Sequence, residues 1–203
     1  VDGSHIKGLL INMFQNMWPS LYRRKGFLRF MNTPILKATK GGNQLMFYNA
    51  GEYERWKTTN PTTWNQWDIK YYKGLGTSTK REWMEYMRDR KFIQFLYAGP
   101  NSDDKIDMVF REKRANERKT WLDTHDRGLY VDTTATDEGI TYDDFIQKDL
   151  IHFSVYDNAR SLPCVVDGLK PSQRKILYCA FKRNLTTSIK VAQFAGYVSE
   201  HSE

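Results

Sequence analysis

The sequence predicts an α/β fold in its first part, followed by a mostly helical part. Three observations support this prediction. Helix-like and strand-like patterns alternate up to about residue 100, a charged stretch and then a Gly, Thr and Asp stretch follow, and two short amphipathic segments separated by a turn fill the last third. Strands that alternate with helices form layered α/β folds, whereas two helices joined by a short turn are typical of a helix-turn-helix.

The first elements are a helix and a hairpin. Apolar residues recur at helical spacing from Gly3 to Met17, and Pro19 ends the pattern. Strands are predicted at Phe30 to Lys40 and at Gln44 to Tyr48, because both stretches are rich in β-formers. The Gly41-Gly42-Asn43 turn between them is typical of a hairpin.

The α/β pattern continues to about Tyr97. A short helix is predicted at Glu52 to Lys57 and a strand at Asp68 to Lys73. The next helix begins at Thr79, because Glu82 stands three residues later in the capping-box position. Phe92 to Tyr97 is then predicted to form another strand.

The rest of the chain is predicted to be helical. A charged helix is expected from Asp104 to Thr124, and the stretch Asp126 to Gly139, which lacks an apolar period, is expected to connect two domains. Thr141 caps a helix that reaches His152. The helix-turn-helix consists of Ser172 to Arg183, with a proline in its first turn, and a second helix from Ile189.

Composition limits the classes of function. The 203 residues include 31 Lys and Arg against 24 Asp and Glu, and the resulting charge of +7 favours polyanionic partners without identifying one. Cys164 and Cys179 have the spacing of neither a disulfide framework nor a zinc site, so we predict buried thiols. Polar residues interrupt the apolar run from Ile6 to Met17, which falls short of the roughly 20 apolar residues of a membrane span. Neither a membrane span nor a signal peptide is predicted.

Four motifs resemble those of a known family. They are Asp2-Gly3-Ser4-His5-Ile6-Lys7-Gly8, Lys73-Gly74-Leu75-Gly76-Thr77-Ser78-Thr79, Asp167-Gly168-Leu169-Lys170-Pro171 with Gln173-Arg174-Lys175, and Lys190-Val191-Ala192-Gln193. In order and spacing they resemble the eukaryotic-type branch of type IIA DNA topoisomerase over essentially the whole chain. Each motif is short, but four in register argue strongly against chance.

The resemblance implies a fragment of the DNA-breakage core of such an enzyme. It assigns residues 1–100 to the C-terminal part of a Toprim domain, 101–140 to a charged helix and connector, and 141–203 to the N-terminal part of a winged-helix DNA-binding domain. The expected fold is therefore an α/β Toprim portion followed by the start of a mostly helical winged-helix domain. The nucleophilic tyrosine, the ATPase module and most metal ligands are expected to lie outside this chain.

Asp2 is the candidate metal residue. A carboxylate followed by glycine and a helix N-terminus suits Mg²⁺ and phosphate together. In the family Asp2 resembles the last acid of an Asp-x-Asp-x-Asp triplet, so the resemblance implies an incomplete Mg²⁺ site. Without the resemblance, a helix cap or a turn former is the commoner role for such an aspartate. For His5, a structural role is favoured over a contact to phosphate.

Six basic residues are predicted to bind DNA: Lys73, Arg118, Lys119, Lys170, Arg174 and Lys190. Lys73 precedes two glycines, which let the backbone approach another surface closely. Lys170 precedes the proline that begins a helix, where a cation opposes the helix dipole and an external anion is favoured. Arg118 and Lys119 are selected because their segment is similar to the family's Arg-Lys-x-Trp-Leu sequence; charge alone indicates a solvated face. Weaker candidates are Thr77, Ser78, Arg160, Lys175, Lys182, Arg183 and Gln193.

The implied activity belongs to the parent enzyme. It is transient cleavage of both strands of double-stranded DNA by tyrosine attack on phosphorus, assisted by Mg²⁺ and basic residues, followed by passage of a second duplex. The resemblance also implies ATP use, a homodimer and a nuclear or other DNA-containing compartment, with a viral source left open. The alternatives are a non-catalytic DNA-binding module with a topoisomerase-like surface and, less favoured, a Toprim nuclease or primase relative.

We expect the 203-residue chain to bind DNA without turning it over. A relaxation assay on supercoiled plasmid checks this expectation, because the tyrosine nucleophile is expected elsewhere in the parent. Relaxation by the purified chain would contradict it.

Overall fold

The structure, a computed structural model, describes residues 2–72, 77–133 and 139–202. The chain divides into two compact units, residues 1–153 and residues 154–203. No helix within the described ranges is long and apolar enough to cross a membrane. The predicted order, a mixed α/β portion followed by a helical portion, is confirmed.

The helices and strands follow one another along both units. The helices are α1 (Asp2–Met17), α2 (Pro19–Tyr22), α3 (Ala50–Thr59), α4 (Lys80–Asp89), α5 (Pro100–Phe110), α6 (Ala115–Asp123), α7 (Tyr142–Phe145), α8 (Ile151–Ser161), α9 (Pro171–Lys182) and α10 (Val191–His201). The strands are β1 (Arg29–Met31), β2 (Leu36–Lys40), β3 (Asn43–Phe47), β4 (Asp68–Tyr71), β5 (Phe92–Leu96) and β6 (Ile140–Thr141). Turns of 3₁₀-helix lie at Trp64–Gln66 and Glu112–Arg114, and a π-helical segment at Ile146–Leu150 joins α7 to α8.

Within the described residues, the strands of the first unit form two three-stranded sheets. One sheet has the order β1-β5-β6, in which β5 is antiparallel to β1 and parallel to β6. The other sheet has the order β3-β2-β4 with both pairs antiparallel. The predicted hairpin is confirmed, because Lys40 pairs with Asn43 across Gly41 (φ +54°) and Gly42 (φ +85°). Positive φ at both central residues is the requirement of a tight hairpin turn.

The single strand predicted from Phe30 to Lys40 is wrong. The chain forms β1 and β2 in different sheets, with Pro34 in the break between them. Proline has no N–H for a ladder bond, so a strand does not continue through it at a sheet interior. The N–H of Asn32 donates to Lys91 O in one sheet, and that of Ile35 donates to Phe47 O next to the other.

The charged helix predicted from Asp104 to Thr124 is two helices. It starts earlier, at Pro100, and is interrupted at Arg111, whose backbone is extended (φ −78°, ψ 124°). The sequence of this break is as helix-favouring as its surroundings, so the pattern gave no boundary. The helix predicted to end at His152 continues as α8, and β6 was not predicted because it is only two residues long.

The main core of the first unit is centred on the fully buried ring of Tyr142. This ring stacks on Tyr22 (centroids 4.4 Å apart) and on Phe95 (5.5 Å), and its hydroxyl donates to Tyr22 O at 2.9 Å. Phe95 also packs edge-on against Phe145. Stacked aromatic rings bury large apolar areas and stabilise one another beyond that burial. The contacts join α2, β5 and α7.

A smaller aromatic core lies under the second sheet. Phe47 and Tyr53 are buried there with Leu36, and the ring of Trp56 packs on both aromatic residues. Asn49 caps α3 by accepting the N–H of Glu52 at 2.8 Å. The cap fixes the angle at which α3 leaves β3 and covers the sheet.

The second unit contains the predicted helix-turn-helix. α9 ends at Lys182, Asn184 adopts a left-handed conformation (φ +50°), and the N–H of Leu185 donates to Ala180 O at 3.0 Å. Of the two cysteines predicted to be buried, Cys179 is buried but Cys164 is half-exposed, so that prediction is wrong for Cys164. Its position in the exposed turn before α9 accounts for the difference.

Two histidines tie the connector after α6 to the main core of the first unit. His152 Nε2 lies 2.8 Å from Leu129 O, and a carbonyl only accepts, so this nitrogen carries the proton. His152 Nδ1 then accepts from His125 Nε2 at 2.9 Å. Tyr130 stacks on the His152 ring at 4.4 Å. Burial, the neighbouring His152 and Arg127 lower the pKa of His125.

The histidine pair predicts an acid-sensitive first unit. Since the folded-state pKa of His125 lies below its ordinary 6.5, the unfolded state binds the proton more readily. Stability that is present above pH 6.5 should therefore be lost as pH falls below it. Urea unfolding at pH 7.5 and pH 5.5 measures this loss, and tryptophan fluorescence reports on the first unit because all six tryptophans lie there.

His125→Gln is the matched variant, because its amide still donates to His152 but does not titrate. We expect the variant to lose less stability between the two pH values than the wild type. An equal loss in both proteins would contradict the role of His125.

Candidate nucleic-acid interface

The turn before α9 is closed by its own backbone. The N–H of Cys164 donates to Leu169 O at 2.9 Å, and the N–H of Gly168 donates to Cys164 O at 2.8 Å. Gly168 has a φ of +72°, a conformation that side chains with a Cβ rarely adopt. The glycine of the Asp167-Gly168 motif is therefore required by the shape of the turn.

Asp167 fastens this turn to α9. Its Oδ1 accepts from Leu169 N–H at 3.0 Å and from Arg174 Nη2 at 2.7 Å. The backbone hydrogen bond from Leu169 and the charge of Arg174 hold the pKa of Asp167 below its usual range. Arg174 thus has a structural partner, and its contact with DNA stays a prediction.

Lys170 occupies the N-cap of α9. Its main-chain N–H donates to Gln173 Oε1 at 2.8 Å, and Pro171 follows in the first turn. The half-buried ammonium of Lys170 has no acidic partner within the described residues. A cation at the positive end of a helix dipole is favourable only when an anion lies nearby, which a phosphate would provide.

Lys190 occupies the corresponding N-cap of α10. It is exposed, and its carbonyl accepts from Gln193 N–H and Phe194 N–H. A polar hollow of about 340 Å³ lies beside it, between the two helices. Residues that line the hollow are Arg183, Asn184, Leu185, Thr186, Thr187, Ser188, Ile189 and Gln193. The hydroxyls of residues 186–188 were not predicted as site residues, although a Thr-Thr-Ser run at a helix-turn-helix turn is a usable signal.

Charge is segregated in the second unit. Between Leu169 and Val191 the sequence contains six Lys and Arg and no Asp or Glu. The six are Lys170, Arg174, Lys175, Lys182, Arg183 and Lys190. Such a one-sign surface attracts a polyanion and binds phosphates without reading sequence.

In the first unit, one buried carboxylate holds both flanks of the Lys73 motif. Glu82 accepts from Lys70 Nζ at 2.9 Å and from Tyr72 OH at 2.6 Å, both at the end of β4. It also accepts from Thr79 N–H at 2.7 Å at the start of α4, and Thr79 Oγ1 in turn accepts from Glu82 N–H, which confirms the predicted capping box. Lys73 and its two glycines lie outside the described residues, so the predicted contact of Lys73 stays a prediction.

The pKa of Glu82 shows how strongly this carboxylate is held. Burial alone raises the pKa of Glu82, but hydrogen bonds from Tyr72, Lys70 and Thr79 outweigh it and lower the pKa to about 2. Burial and the bond to Glu82 raise the pKa of Tyr72. Sequence analysis found the cap but missed Lys70 and Tyr72, which alternate on one face of β4 and so point to the same neighbour.

The α6 residues behave differently from one another. Arg118 donates from Nη1 to Met108 O (3.1 Å) and Arg111 O (2.5 Å), and from Nη2 to Glu112 O (3.2 Å). The guanidinium therefore satisfies carbonyls at the end of α5, where a helix leaves them without partners. Lys119 is exposed and has no acidic partner in the described part of the chain. Both DNA contacts stay predictions, and Arg118 has a structural role in addition.

The start of α1 is fixed by a residue that sequence analysis missed. Asp149, in the π-helical segment, accepts from Ser4 Oγ at 2.6 Å and from Lys7 Nζ at 2.5 Å. π-Helical turns interrupt helices where a side chain must be re-aimed, but they leave no periodic signal in the sequence. A cavity of about 350 Å³ adjoins these residues. His5 stacks on Phe153 at 4.4 Å, which favours a structural role.

The described residues do not make a complete metal site. Among them there is no group of three or more His, Cys, Asp or Glu side chains that could hold a metal ion. Asp2 is the first residue of α1, and its side chain lies outside the described atoms. These residues alone do not fit a bound Mg²⁺ ion.

Comparison with known families shows which class of protein has this fold. The family described as the C-terminal associated domain of TOPRIM matches residues 31–158, and the family described for the A-type chain of DNA gyrase/topoisomerase IV matches residues 160–203. The change between them at residue 159 lies close to the division between the two units. The chain belongs to the family of the C-terminal associated domain of TOPRIM, among the eukaryotic-type DNA topoisomerase 2 proteins.

Individual relatives agree with this assignment. DNA topoisomerase 2 of Plasmodium falciparum is 52% identical over 203 residues, and DNA topoisomerase 2-alpha of Homo sapiens is 48% identical over 216. The match covers 99% of this chain and 14% of each relative. The crystal structure of the P. falciparum topoisomerase II DNA-binding, cleavage and re-ligation domain is 51% identical with a TM-score of 0.80, over 99% of this chain and 27% of that one. The predicted resemblance to eukaryotic-type type IIA topoisomerases is confirmed.

The Glu82 interactions predict a large loss of stability in Glu82→Gln. The variant keeps the shape of the side chain but removes the charge from hydrogen bonds that are each worth about 1.5–3 kcal/mol when an ion takes part. We expect the free energy of unfolding of the first unit to fall by about 2–3 kcal/mol in urea titrations at pH 7.

Glu85→Gln is the control, since its partner Arg81 is exposed and such pairs contribute about 0.5 kcal/mol or less. Because the pKa of Glu82 is lowered to about 2, the difference between wild type and Glu82→Gln should shrink as pH falls from 4.5 towards 2. Equal losses in Glu82→Gln and Glu85→Gln at pH 7 would show that the buried carboxylate does not hold the motif.

Proposed function

We propose that this chain is the DNA-binding part of a protein that passes one DNA duplex through a transient double-strand break in another. The single observation that supports it most is the match to the P. falciparum DNA-binding, cleavage and re-ligation domain over 99% of the chain. The break is proposed to form by tyrosine attack on phosphorus, with basic residues stabilising the charge that develops on the phosphate. None of the 12 tyrosines is assigned this role.

The proposed DNA contacts are charge-based. Lys119, Lys170 and Lys190 have no acidic partner in the described ranges, and they are proposed to bind phosphates. Arg174 and Arg118 are proposed to add charge while they hold the turn before α9 and the end of α5. Lys73 is proposed as a further contact, because Glu82 holds both flanks of its motif.

Cofactors, assembly and compartment follow from the same proposal. We infer that the whole protein uses Mg²⁺ and ATP and acts as a homodimer, while this chain contributes only Asp2 to the metal site, as a supporting acid. Residues 1–100, 101–140 and 141–203 are proposed as the Toprim part, the connector and the winged-helix part. The named relatives are eukaryotic proteins, which favours the nucleus or another DNA-containing compartment over a viral source.

The proposal predicts a salt-dependent affinity for duplex DNA that depends on three lysines. Each lost phosphate contact lowers the slope of log affinity against log salt by about 0.9. We expect Lys119→Ala/Lys170→Ala/Lys190→Ala to weaken binding to a 20-base-pair duplex and to lower the slope by about 2.7, measured by fluorescence anisotropy between 50 and 200 mM salt.

Lys37→Ala/Lys40→Ala/Arg55→Ala is the matched control, because it removes the same charge from the second sheet and the helix that covers it. An unchanged slope in the first variant, or an equal decrease in both, would contradict the proposed contacts.

A further inference from the structure

A second concentration of positive charge lies in the first unit. Between Asp2 and Glu52 the sequence contains seven Lys and Arg and no acidic residue. Four of the seven fall in residues 23–29, on the turn that joins α2 to β1. A stretch of this length without an acid concentrates positive potential on one part of the surface.

The structure leaves most of this charge unbalanced. Arg23 pairs with Asp103 (Nη2 to Oδ2, 3.0 Å), but the exposed Arg24, Lys25 and Arg29 have no acidic partner in the part of the chain that the structure describes. The basic stretch before α6 differs, because Arg114 there pairs with acids on both sides. The α2–β1 turn is therefore the stronger attractor of anions in the first unit.

Aromatic rings lie beside these cations. Trp18 is 44% exposed and Phe27 is 41% exposed, although both rings pack on Phe14 at centroid distances of 5.5 and 5.4 Å. Phe92 is 51% exposed, and its ring centroid lies 5.7 Å from the guanidinium carbon of Arg29. Each ring is thus held on one side and open to solvent on another, as a stacking platform requires.

The backbone of the turn is well fixed. The N–H of Phe27 donates to Arg24 O at 3.2 Å, and Gly26 between them has a φ of +77°. The N–H of Phe95 in β5 donates to Leu28 O at 3.0 Å, which anchors the turn to the first sheet. A surface held in this way loses little freedom when it binds a partner.

We propose that the basic-aromatic turn, formed by Trp18, Arg24, Lys25, Phe27 and Arg29, binds single-stranded nucleic acid. The cations pair with phosphates, and the exposed ring faces stack on unpaired bases. In a duplex the base faces are covered by their neighbours, so a duplex would use the cations only. Rings and cations together therefore favour a single strand. This proposal does not rest on the duplex function proposed above.

The test compares two labelled probes of equal charge by fluorescence anisotropy. One is an oligothymidylate of about 12 nucleotides, within the usual length of a strand-binding site, and the other is an abasic strand of the same length. We expect the wild-type chain to bind the oligothymidylate about tenfold more tightly, because only this probe offers bases for stacking. Equal affinity for the two probes would overturn the proposal without any variant.

Two variants separate the cations from the rings. Arg24→Ala/Lys25→Ala should weaken binding of both probes and lower the salt slope by about 1.4, since each phosphate contact to a single strand contributes about 0.7. Trp18→Leu/Phe27→Leu should bind the oligothymidylate no better than the abasic strand. Phe27→Leu alone serves the same purpose if the double variant does not fold by circular dichroism.

Lys40→Ala/Arg55→Ala is the matched control for charge, and it should leave both affinities unchanged. A loss with the control as large as that with Arg24→Ala/Lys25→Ala would overturn the proposal, as would tight binding to anionic lipid vesicles but not to the oligothymidylate. A duplex arm keeps the two proposals apart. If Arg24→Ala/Lys25→Ala loses single-strand binding while duplex binding depends on Lys170, both hold; if only the oligothymidylate binds, the duplex proposal alone fails.

Discussion

The buried ring of Tyr142 is the contact on which the arrangement of the first unit depends. It lies between Tyr22 and Phe95 and donates a hydrogen bond to Tyr22 O, so one side chain joins residues 120 positions apart in sequence. Because its hydroxyl is satisfied, the ring is buried without the cost of an unpaired polar group. This contact brings the start of the π-helical segment close to α1, and Asp149 can then reach Ser4 and Lys7.

Electrostatics is organised by where acids are missing as much as by where bases are present. Much of the basic sequence around α5 and α6 is neutralised, by ion pairs such as Arg114 with Asp104 and by the carbonyls that Arg118 caps. The two acid-free stretches, 3–51 and 169–191, are the ones in which cations remain in solvent. Net charge alone does not distinguish these cases, since a paired cation and an unpaired one count equally. The structure supplies that distinction.

Local signals allowed much of the fold to be predicted from the sequence. The Thr79–Glu82 capping box, the Gly41-Gly42 hairpin and the proline at the start of α9 each specify a boundary through short-range chemistry, and each was found where expected. Breaks that depend on distant partners were not predicted. The interruption at Arg111 and the two-residue β6 exist because tertiary neighbours complete their hydrogen bonds. Site residues followed the same division, since the motif lysines were named in advance while Asp149 and Tyr72 were not.

Arg118 shows that one residue can answer to two requirements. Its guanidinium reaches three carbonyls at once, and a lysine with a single nitrogen could not replace that fork at the end of α5. Evolution would therefore keep an arginine here even in a descendant that no longer touched nucleic acid. Invariance at this position records descent of the scaffold, whereas drift at Lys119, which has no such duty, would be the sign that a lineage had abandoned its polyanionic partner.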